Sequence, residues 1–226
     1  MSKIFTGKAL VGGISQLLLF PLILFLAAGT LAWPAGWIFL ILFYSFVVVI
    51  VRLLSKQNPS LLEERMSVFK PNPKRDTMFL LLGVVSLVWL IVIPLDAVRF
   101  HWLQVPLWLQ AVGALALLGS FAIMYLAFRE NAYLTPTVRI QQEREHVVVS
   151  TGPYRYMRHP MYTGFHLFFL GLPLLLGSGV GLVLTPVLIG LVVRRTVLEE
   201  HLLREELLGY DAYMIQVPSR FIPHIW

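Results

Sequence analysis

The stretch that decides the fold runs from Gly152 to Val193 and reads GPYRYMRHPMYTGFHLFFLGLPLLLGSGVGLVLTPVLIGLVV. It opens as a basic, aromatic loop that a Gly-Pro and a His-Pro pair interrupt. From Met161 to Val193 it becomes one apolar run that is longer than a single membrane span. Gly177, Gly179 and Gly181 stand at the middle of that run and allow a sharp reversal. We therefore expect a tight helical hairpin of two short or tilted helices.

The rest of the chain places this hairpin in a membrane. Hydrophobic residues make up 58% of the sequence and charged residues only 13%, and the mean hydropathy of +0.76 is too high for an ordinary soluble domain. Four upstream runs are near the ~20 residues that cross the hydrocarbon layer, namely Leu10–Ala32, Ala35–Leu54, Thr77–Leu95 and Pro106–Phe128. The sequence predicts an all-α integral membrane protein with four transmembrane helices plus a C-terminal helical hairpin.

The placement of Lys and Arg predicts the orientation. With these spans, every Lys and Arg except Arg99 falls on one face of the membrane, together with both termini. Basic residues accumulate in short cytoplasmic loops, so we expect both termini to be cytoplasmic. The net charge of +6 then reflects orientation and contact with anionic membrane lipid, and it does not indicate a nucleic-acid partner. We expect the first apolar run, which is too long for a removable signal peptide, to remain as a helix.

The chain divides into two parts. Residues 1–128 hold the N-terminal transmembrane helices and a cytoplasmic loop at 55–76, and residues 129–226 form a C-terminal core. In the first loop, Asn58-Pro59 followed by Leu61-Leu62-Glu63-Glu64-Arg65 predicts a turn and a short interfacial amphipathic helix, or else a solvated connector. In the core, His146 and the three valines after it are typical of an extended, strand-like segment whose backbone can bind a ligand edge, although His146 alone reads as a surface histidine.

Several classes of site lack support in the sequence. The chain has no cysteine, which removes disulfides, thiolate catalysis and Cys-ligated metals. Its six histidines include no HExxH and no pair at a helical spacing of three or four residues, so a zinc site is not expected. No GxSxG, Walker or GxGxxG motif is present, which leaves hydrolase, nucleotide triphosphatase and Rossmann functions unsupported.

Two glutamates, Glu199 and Glu200, follow the hairpin directly and stand beside Arg194 and Arg195. A hairpin returns the chain to the side on which it began, so we expect both carboxylates to lie near the loop around His159. Polar residues gathered where helices meet an aqueous cavity are usually functional. This predicts a cytoplasm-facing pocket between the loop and the carboxylates. The simple alternatives are interfacial anchoring by the loop and arginine pairing of the glutamates on a solvated helix face.

Two motifs carry a family resemblance. An RHPxYxG element is matched by Arg158, His159, Pro160, Tyr162 and Gly164. A Glu-Glu-x-x-Leu element and a following Gly-Tyr-x-x-Tyr are matched by Glu199, Glu200, Leu203, Gly209, Tyr210 and Tyr213. With them, Val138–Trp226 resembles the C-terminal core of the isoprenylcysteine carboxyl methyltransferase family, most closely its bacterial membrane members. The paired motifs are shared with membrane phospholipid methyltransferases.

The resemblance implies an S-adenosylmethionine site formed by the cytoplasmic loop and tail, in a protein of the bacterial inner membrane. Its partner would be a lipophilic small-molecule or lipid acceptor, with no nucleic acid and no metal. By motif position, the cofactor contacts would be His146, Val147, Val148, Val149, Tyr154, Arg158, His159, Pro160, Met161, Tyr162, Glu199 and Glu200. Arg195, Glu199 and Glu200 would be catalytic, with Arg195 toward the acceptor. Counting from Arg195 selects Glu199 for the cofactor, whereas counting back from Gly209 selects Glu200.

Three functions stay open on the sequence. Methyl transfer to a carboxylate of a prenylcysteine-like acceptor needs no general base, because the carboxylate is already ionised. A phospholipid or other amine N-methyltransferase would need one, for which one of the two glutamates or His159 is available. A non-catalytic membrane scaffold or transporter is the third, but transporters usually show internal repeats or charged residues at mid-membrane, and these spans are nearly free of charge.

Overall fold

A computed structural model of the protein describes residues 7–59, 61–62, 77–134, 146–223 and 225. Regular structure in these ranges is helical, apart from one isolated antiparallel bridge between Gln104 and Ser178. The α helices are α1 (Gly7–Ala28), α2 (Pro34–Gln57), α3 (Thr77–Pro94), α4 (Leu107–Glu130), α5 (Pro160–Leu176), α6 (Gly179–Glu206) and α7 (Tyr210–Gln216). A π-helical turn at Leu95–Phe100 extends α3, and a 3-10 turn at Gly152–Arg155 precedes α5. The all-α prediction is confirmed.

Helices occupy each of the six apolar segments that the sequence predicts. Among the described residues, four are long and apolar enough to cross a membrane: α2, Leu80–Phe100, α4 and α6. Leu18–Ala28 of α1 and the whole of α5 are shorter apolar segments. Large apolar side chains such as Leu26, Ile41 and Val183 are about two-thirds exposed, as expected for a surface that faces lipid.

The predicted hairpin is confirmed, but its second helix is not short. Helix α5 has 17 residues and α6 has 28, so α6 continues well past the apolar segment and carries the glutamates on its last turns. The reversal needs a single glycine, Gly177, whose φ of 88° lies in the left-handed region. Gly179 and Gly181 instead allow close packing, because a Cβ at either position would overlap Leu103 or Ile93.

The buried carboxylate of Asp96, in the turn that follows α3, stabilises the hairpin turn through hydrogen bonds. Asp96 is fully buried in the π-helical turn, and its Oδ2 accepts from the Ser178 hydroxyl at 2.6 Å and from the Val180 amide at 3.0 Å. Its Oδ1 accepts from the Leu103 amide at 2.8 Å. Asp96 therefore satisfies one free amide at the start of α6, that of Val180, and fixes the hairpin to the end of α3.

The most extensive helix contact joins α4 to α5. A Cβ at Gly113 would overlap the Leu175 amide and would lie 2.8 Å from the Gly171 carbonyl oxygen, so the two backbones nearly touch. The Ser120 hydroxyl donates to the Gly164 carbonyl oxygen at 2.8 Å. Small residues and short polar contacts of this kind are how helices pack in lipid, where no hydrophobic force drives them together. This contact fixes the N-terminus of α5, where the RHPxYxG motif lies.

The loop after α2 is described only at its start. Leu61 and Leu62 are helical and buried against Leu54 and Met124, and the Asn58 side chain accepts from the Leu61 amide at 3.3 Å. The predicted turn at Asn58 is thus present. The remainder of the predicted interfacial helix, from Glu63 onward, lies outside the described residues.

Candidate functional site

The site is built where the start of α5, the end of α6 and the C-terminal tail meet. The tail runs along the RHPxYxG motif and is bound to it by backbone hydrogen bonds. The Arg158 amide donates to the Ser219 carbonyl oxygen at 3.0 Å, and the His159 amide donates to that of Arg220 at 2.9 Å. The Thr163 hydroxyl donates to the Phe221 carbonyl oxygen at 2.9 Å. The loop is therefore packed against the C-terminal tail.

Glu200 is the centre of a buried ion cluster. It is 3% exposed, and its Oε1 accepts from Arg158 Nε at 2.7 Å and contacts His159 Nε2 at 3.1 Å. Its Oε2 accepts from Arg220 Nε at 2.7 Å. A carboxylate has no proton to give, so His159 must carry its hydrogen on Nε2. Arg158 also donates to the carbonyl oxygens of Val217 and Pro218, each at 2.7 Å.

Glu199 belongs to a different set of contacts. Its Oε2 accepts from the Tyr162 hydroxyl at 2.5 Å, and the Tyr162 oxygen accepts from Arg195 Nε at 3.0 Å. Arg195 is buried, while Glu199 is partly exposed. Arginine can only donate and a carboxylate can only accept, so the direction of both hydrogen bonds is fixed. Arg195 and Glu199 lie one helical turn apart on α6, and Tyr162 of α5 joins them.

The alternative of arginine pairing on a solvated helix face is wrong for Glu200. Glu200 pairs with Arg158 and Arg220 inside the protein, and Arg204 instead pairs with Asp211 at 2.8 Å. The two glutamates are sequence neighbours, but successive residues of a helix point about 100° apart. Each carboxylate consequently meets its own set of partners.

The segment before the 3-10 turn contributes apolar and aromatic groups. Residues 146–150 have no regular structure, so the predicted strand-like segment is not paired in a sheet within the described ranges. Val148 packs against an apolar cluster of Leu207, Tyr210, Tyr213 and Val217, whereas Val147 is 59% exposed. The His146 ring stacks on Tyr133 with the ring centroids 4.1 Å apart. Residues 135–145 lie outside the described part of the chain.

Not every predicted contact residue lies on the same surface. Arg158, His159, Tyr162, Arg195, Glu199 and Glu200 converge in the two hydrogen-bonded sets above. Pro160 starts α5, and the side chain of Met161 packs with Leu61 and Met124 in an apolar cluster of the bundle. Tyr154 is buried, and its hydroxyl oxygen accepts from Asn131 Nδ2 at 3.1 Å.

Sequence reasoning missed Arg220, and it named the two tyrosines of α7 as motif residues without assigning them to the site. Arg220 closes the ion cluster, and Tyr213 donates its hydroxyl proton to the Tyr154 carbonyl oxygen at 2.8 Å. Burial raises the pKa of Tyr210 and that of Tyr213, so both phenols are neutral donors at physiological pH. The Gly-Tyr-x-x-Tyr motif marked the tyrosines, but no spacing marked Arg220. Within the described ranges, His, Asp and Glu side chains form no group of three that could hold a metal ion.

Parts of this chain are similar to known proteins and to one protein-family model. Residues 108–207 match the family model described as phospholipid methyltransferase. The chain is 31% identical over 112 residues to the protein-S-isoprenylcysteine O-methyltransferase of Schizosaccharomyces pombe, an alignment covering 49% of this chain and 47% of that protein. It is 28% identical over 123 residues to protein-S-isoprenylcysteine O-methyltransferase B of Arabidopsis thaliana, covering 53% of this chain and 59% of that one.

The chain thus spans about half the length of the curated relatives that it matches. The family match begins at the start of α4 and includes α5 and α6, which carry the RHPxYxG motif and both glutamates. The chain therefore resembles the isoprenylcysteine O-methyltransferases and the phospholipid methyltransferase family to which residues 108–207 match.

Proposed function

We propose that the protein is an S-adenosylmethionine-dependent membrane methyltransferase that acts on the carboxylate of a lipophilic, prenylcysteine-like acceptor. The observation that carries the proposal is the Arg195–Tyr162–Glu199 chain beside the buried Glu200 cluster, at one end of an apolar helical bundle. Both curated relatives are named protein-S-isoprenylcysteine O-methyltransferases, and a prenylcysteine acceptor methylated on oxygen supports the choice of a carboxylate.

The chemistry of the donor set fits the proposed cofactor. S-adenosylmethionine, when bound, supplies a methyl group on a sulfonium together with an ammonium, a carboxylate and an adenosine. Glu199 is partly exposed and, within the described part of the chain, accepts one hydrogen bond, from Tyr162, so its carboxylate has capacity for an ammonium or ribose hydroxyls. Glu200 already accepts from three side chains, and we assign it to holding the loop and tail together. Of the two glutamates, we therefore propose Glu199 for the cofactor.

Arg195 is the proposed contact for the acceptor. Its guanidinium is always charged and is suited to a planar carboxylate. Tyr162 holds its Nε, which sets the position of the guanidinium relative to Glu199. Cofactor and acceptor would then be oriented by residues one helical turn apart, and alignment of donor and acceptor is the main requirement of an in-line displacement.

The surroundings favour the reaction. An ionised carboxylate needs no general base, so the protein has to exclude water and position two partners of opposite charge. The Tyr162 and His159 rings, with centroids 5.7 Å apart, place an aromatic surface beside Glu199. Such a surface favours a cation by about 0.5–2 kcal/mol. An acceptor with a lipid tail can reach this site from the bilayer while its carboxylate meets Arg195.

We also propose that this end of the bundle faces the cytoplasm of a bacterium, with the protein in the inner membrane. The predicted spans put every Lys and Arg except Arg99 on one side of the membrane, and this excess supports the orientation. Reporter fusions at residue 145 and at the C-terminus should both report the cytoplasm, and opposite locations would contradict the proposal.

An amine acceptor is the second candidate, and the match of residues 108–207 to a phospholipid methyltransferase model favours it. An amine must lose a proton during transfer, and Glu199 or His159 would take it. The two candidates predict opposite mutant behaviour. If Arg195→Ala left methyl transfer intact while Glu199→Gln abolished turnover without changing cofactor affinity, the amine candidate would replace the carboxylate.

The proposal is tested first by calorimetry of the purified full-length protein in detergent with S-adenosylmethionine and S-adenosylhomocysteine. We expect saturable binding of both, weakened by Glu199→Gln by about ten-fold or more, because a charge-assisted hydrogen bond is lost. Glu205→Gln is a suitable control, since Glu205 is exposed on the same helix and pairs only with His201 among the described residues. No binding by folded wild-type protein at millimolar cofactor would contradict the proposal.

A further inference from the structure

A buried hydroxyl next to the proposed site has no assigned role. Tyr210 is the first residue of α7 and is 4% exposed, yet its hydroxyl has no hydrogen-bond partner among the described residues. A buried hydroxyl without a partner is costly, and native proteins contain few of them. The family match ends at residue 207, before this tyrosine.

The neighbours of Tyr210 place it between the charged cluster and the segment at 146–150. Its ring packs with Leu207 and Val217 in an apolar cluster to which Val148 also belongs. After burial itself, the strongest influence on its pKa is the charge of Glu200, opposed by Arg158. The hydroxyl is thus a neutral donor close to the ion cluster, within otherwise apolar surroundings.

Tyr213 supplies the contrast. It lies one turn further along α7, is buried to the same degree, and donates its hydroxyl proton to the Tyr154 carbonyl oxygen at 2.8 Å. The two rings are 5.8 Å apart, in the same apolar cluster. The fold therefore provides two buried tyrosine hydroxyls side by side, of which one serves the structure and the other has no partner in the described ranges.

We infer that the Tyr210 hydroxyl is a ligand-binding donor that hydrogen-bonds a ring nitrogen of the adenine of the cofactor, an inference that rests on the proposed function. An apolar cluster with a single neutral donor suits a flat base with nitrogen acceptors. The charged end of the same ligand suits Glu199 and its neighbours instead. Residues 146–150, which pack on the cluster through Val148, lack regular structure and would border the base. The hydroxyl has no partner among the described residues, and the bound base would supply one.

This assignment predicts that stability and affinity respond in opposite ways to one substitution. Tyr210→Phe removes a hydroxyl with no partner, so the melting temperature of the ligand-free protein should stay the same or rise. Its dissociation constant for S-adenosylhomocysteine should increase about three- to ten-fold, the range of one neutral hydrogen bond. Tyr213→Phe is the matched control, and it should lower the melting temperature because the Tyr154 carbonyl oxygen loses its donor.

The experiment uses full-length protein in detergent, thermal unfolding without ligand, and calorimetry with S-adenosylhomocysteine and its 1-deaza, 3-deaza and 7-deaza analogues. For one of the three analogues, Tyr210→Phe should cause no further loss of affinity, because the acceptor nitrogen is already gone. A drop in melting temperature like that of Tyr213→Phe, or an unchanged dissociation constant, would overturn the inference. Equal losses with all three analogues would overturn the adenine contact. If wild-type protein binds no S-adenosylhomocysteine, both the inference and the proposed function fail, whereas normal binding by wild type and Tyr210→Phe alike removes only the inference.

Discussion

Replacing Glu200 and Glu199 one at a time should separate stability from cofactor binding. In Glu200→Gln, the amide offers one oxygen where the carboxylate offered two. Its NH₂ group must then face either Arg158 and His159 or Arg220, all of which are donors at 2.7–3.1 Å in the native cluster. Because glutamine is neutral, Arg158 and Arg220 both lose their counter-charge at a site where Glu200 is 3% exposed, and at least one of them also loses its hydrogen-bond acceptor.

The magnitude follows from the burial of that pair. Breaking a buried ion pair by removing one partner costs about 3–5 kcal/mol. For a chain of this size, that corresponds to a fall in melting temperature of about 6–20 °C. Glu199→Gln keeps an oxygen that can accept from Tyr162 and lies at a partly exposed position, so the fall should be about 2 °C or less. Its effect should instead be a cofactor affinity about ten-fold weaker or more.

The assay is thermal unfolding of detergent-purified variants, paired with calorimetry of S-adenosylhomocysteine on each protein that folds. Glu205→Gln, exposed on the same helix, should match wild type in both measurements. The reasoning is refuted if Glu200→Gln melts like wild type, or if Glu199→Gln is the less stable of the two variants.

Three further substitutions test other parts of the account. Arg195→Ala should keep the cofactor affinity, measured by calorimetry, within about three-fold of the wild-type value. It should lower kcat/KM for a carboxylate acceptor, measured by steady-state kinetics, by about ten-fold or more. An equal loss of cofactor affinity and kcat/KM would contradict an acceptor role. Asp96→Ala leaves the Ser178 hydroxyl and two amides without their acceptor, so it should destabilise the protein by about 2–4 kcal/mol in thermal unfolding; unchanged stability would refute the anchoring of the hairpin. Gly113→Ala should sharply reduce the yield of folded protein in size-exclusion chromatography, because the added Cβ overlaps α5. The control Gly119→Ala, on the same helix, places its Cβ where nothing lies within 4 Å and should fold normally. Equal yields of the two variants would contradict the close contact between α4 and α5.

Much of the fold could be predicted because lipid leaves few choices for an apolar chain. Each run near twenty residues is helical. The hairpin reverses at Gly177, where the backbone has a left-handed φ that favours glycine. The convergence of His159 with Glu200 also follows from sequence order, since a hairpin brings together the residues that precede its first helix and follow its second. The length of α6 was harder to predict, because its charged last turns do not continue the apolar pattern.

The separate roles of the two glutamates could not be predicted. Counting from Arg195 selects Glu199 for the cofactor, and counting back from Gly209 selects Glu200. The choice between them depends on which way each side chain points and how deeply it is buried. Arg220 escaped notice for a related reason. It lies in a short tail with no helical or alternating pattern, and its importance comes only from the tertiary contact with Glu200.

The most direct test of the central claim is transfer of a labelled methyl group from S-adenosylmethionine to a farnesylated N-acetylcysteine by the purified protein in detergent or lipid. A methyl ester releases labelled methanol in mild alkali, whereas an N-methyl product keeps its label. We expect alkali-labile product from wild-type protein, reduced at least ten-fold in Arg195→Ala, and no labelling of phosphatidylethanolamine offered in parallel. Alkali-stable label in the phospholipid, with none in the prenylcysteine, would contradict the carboxylate acceptor.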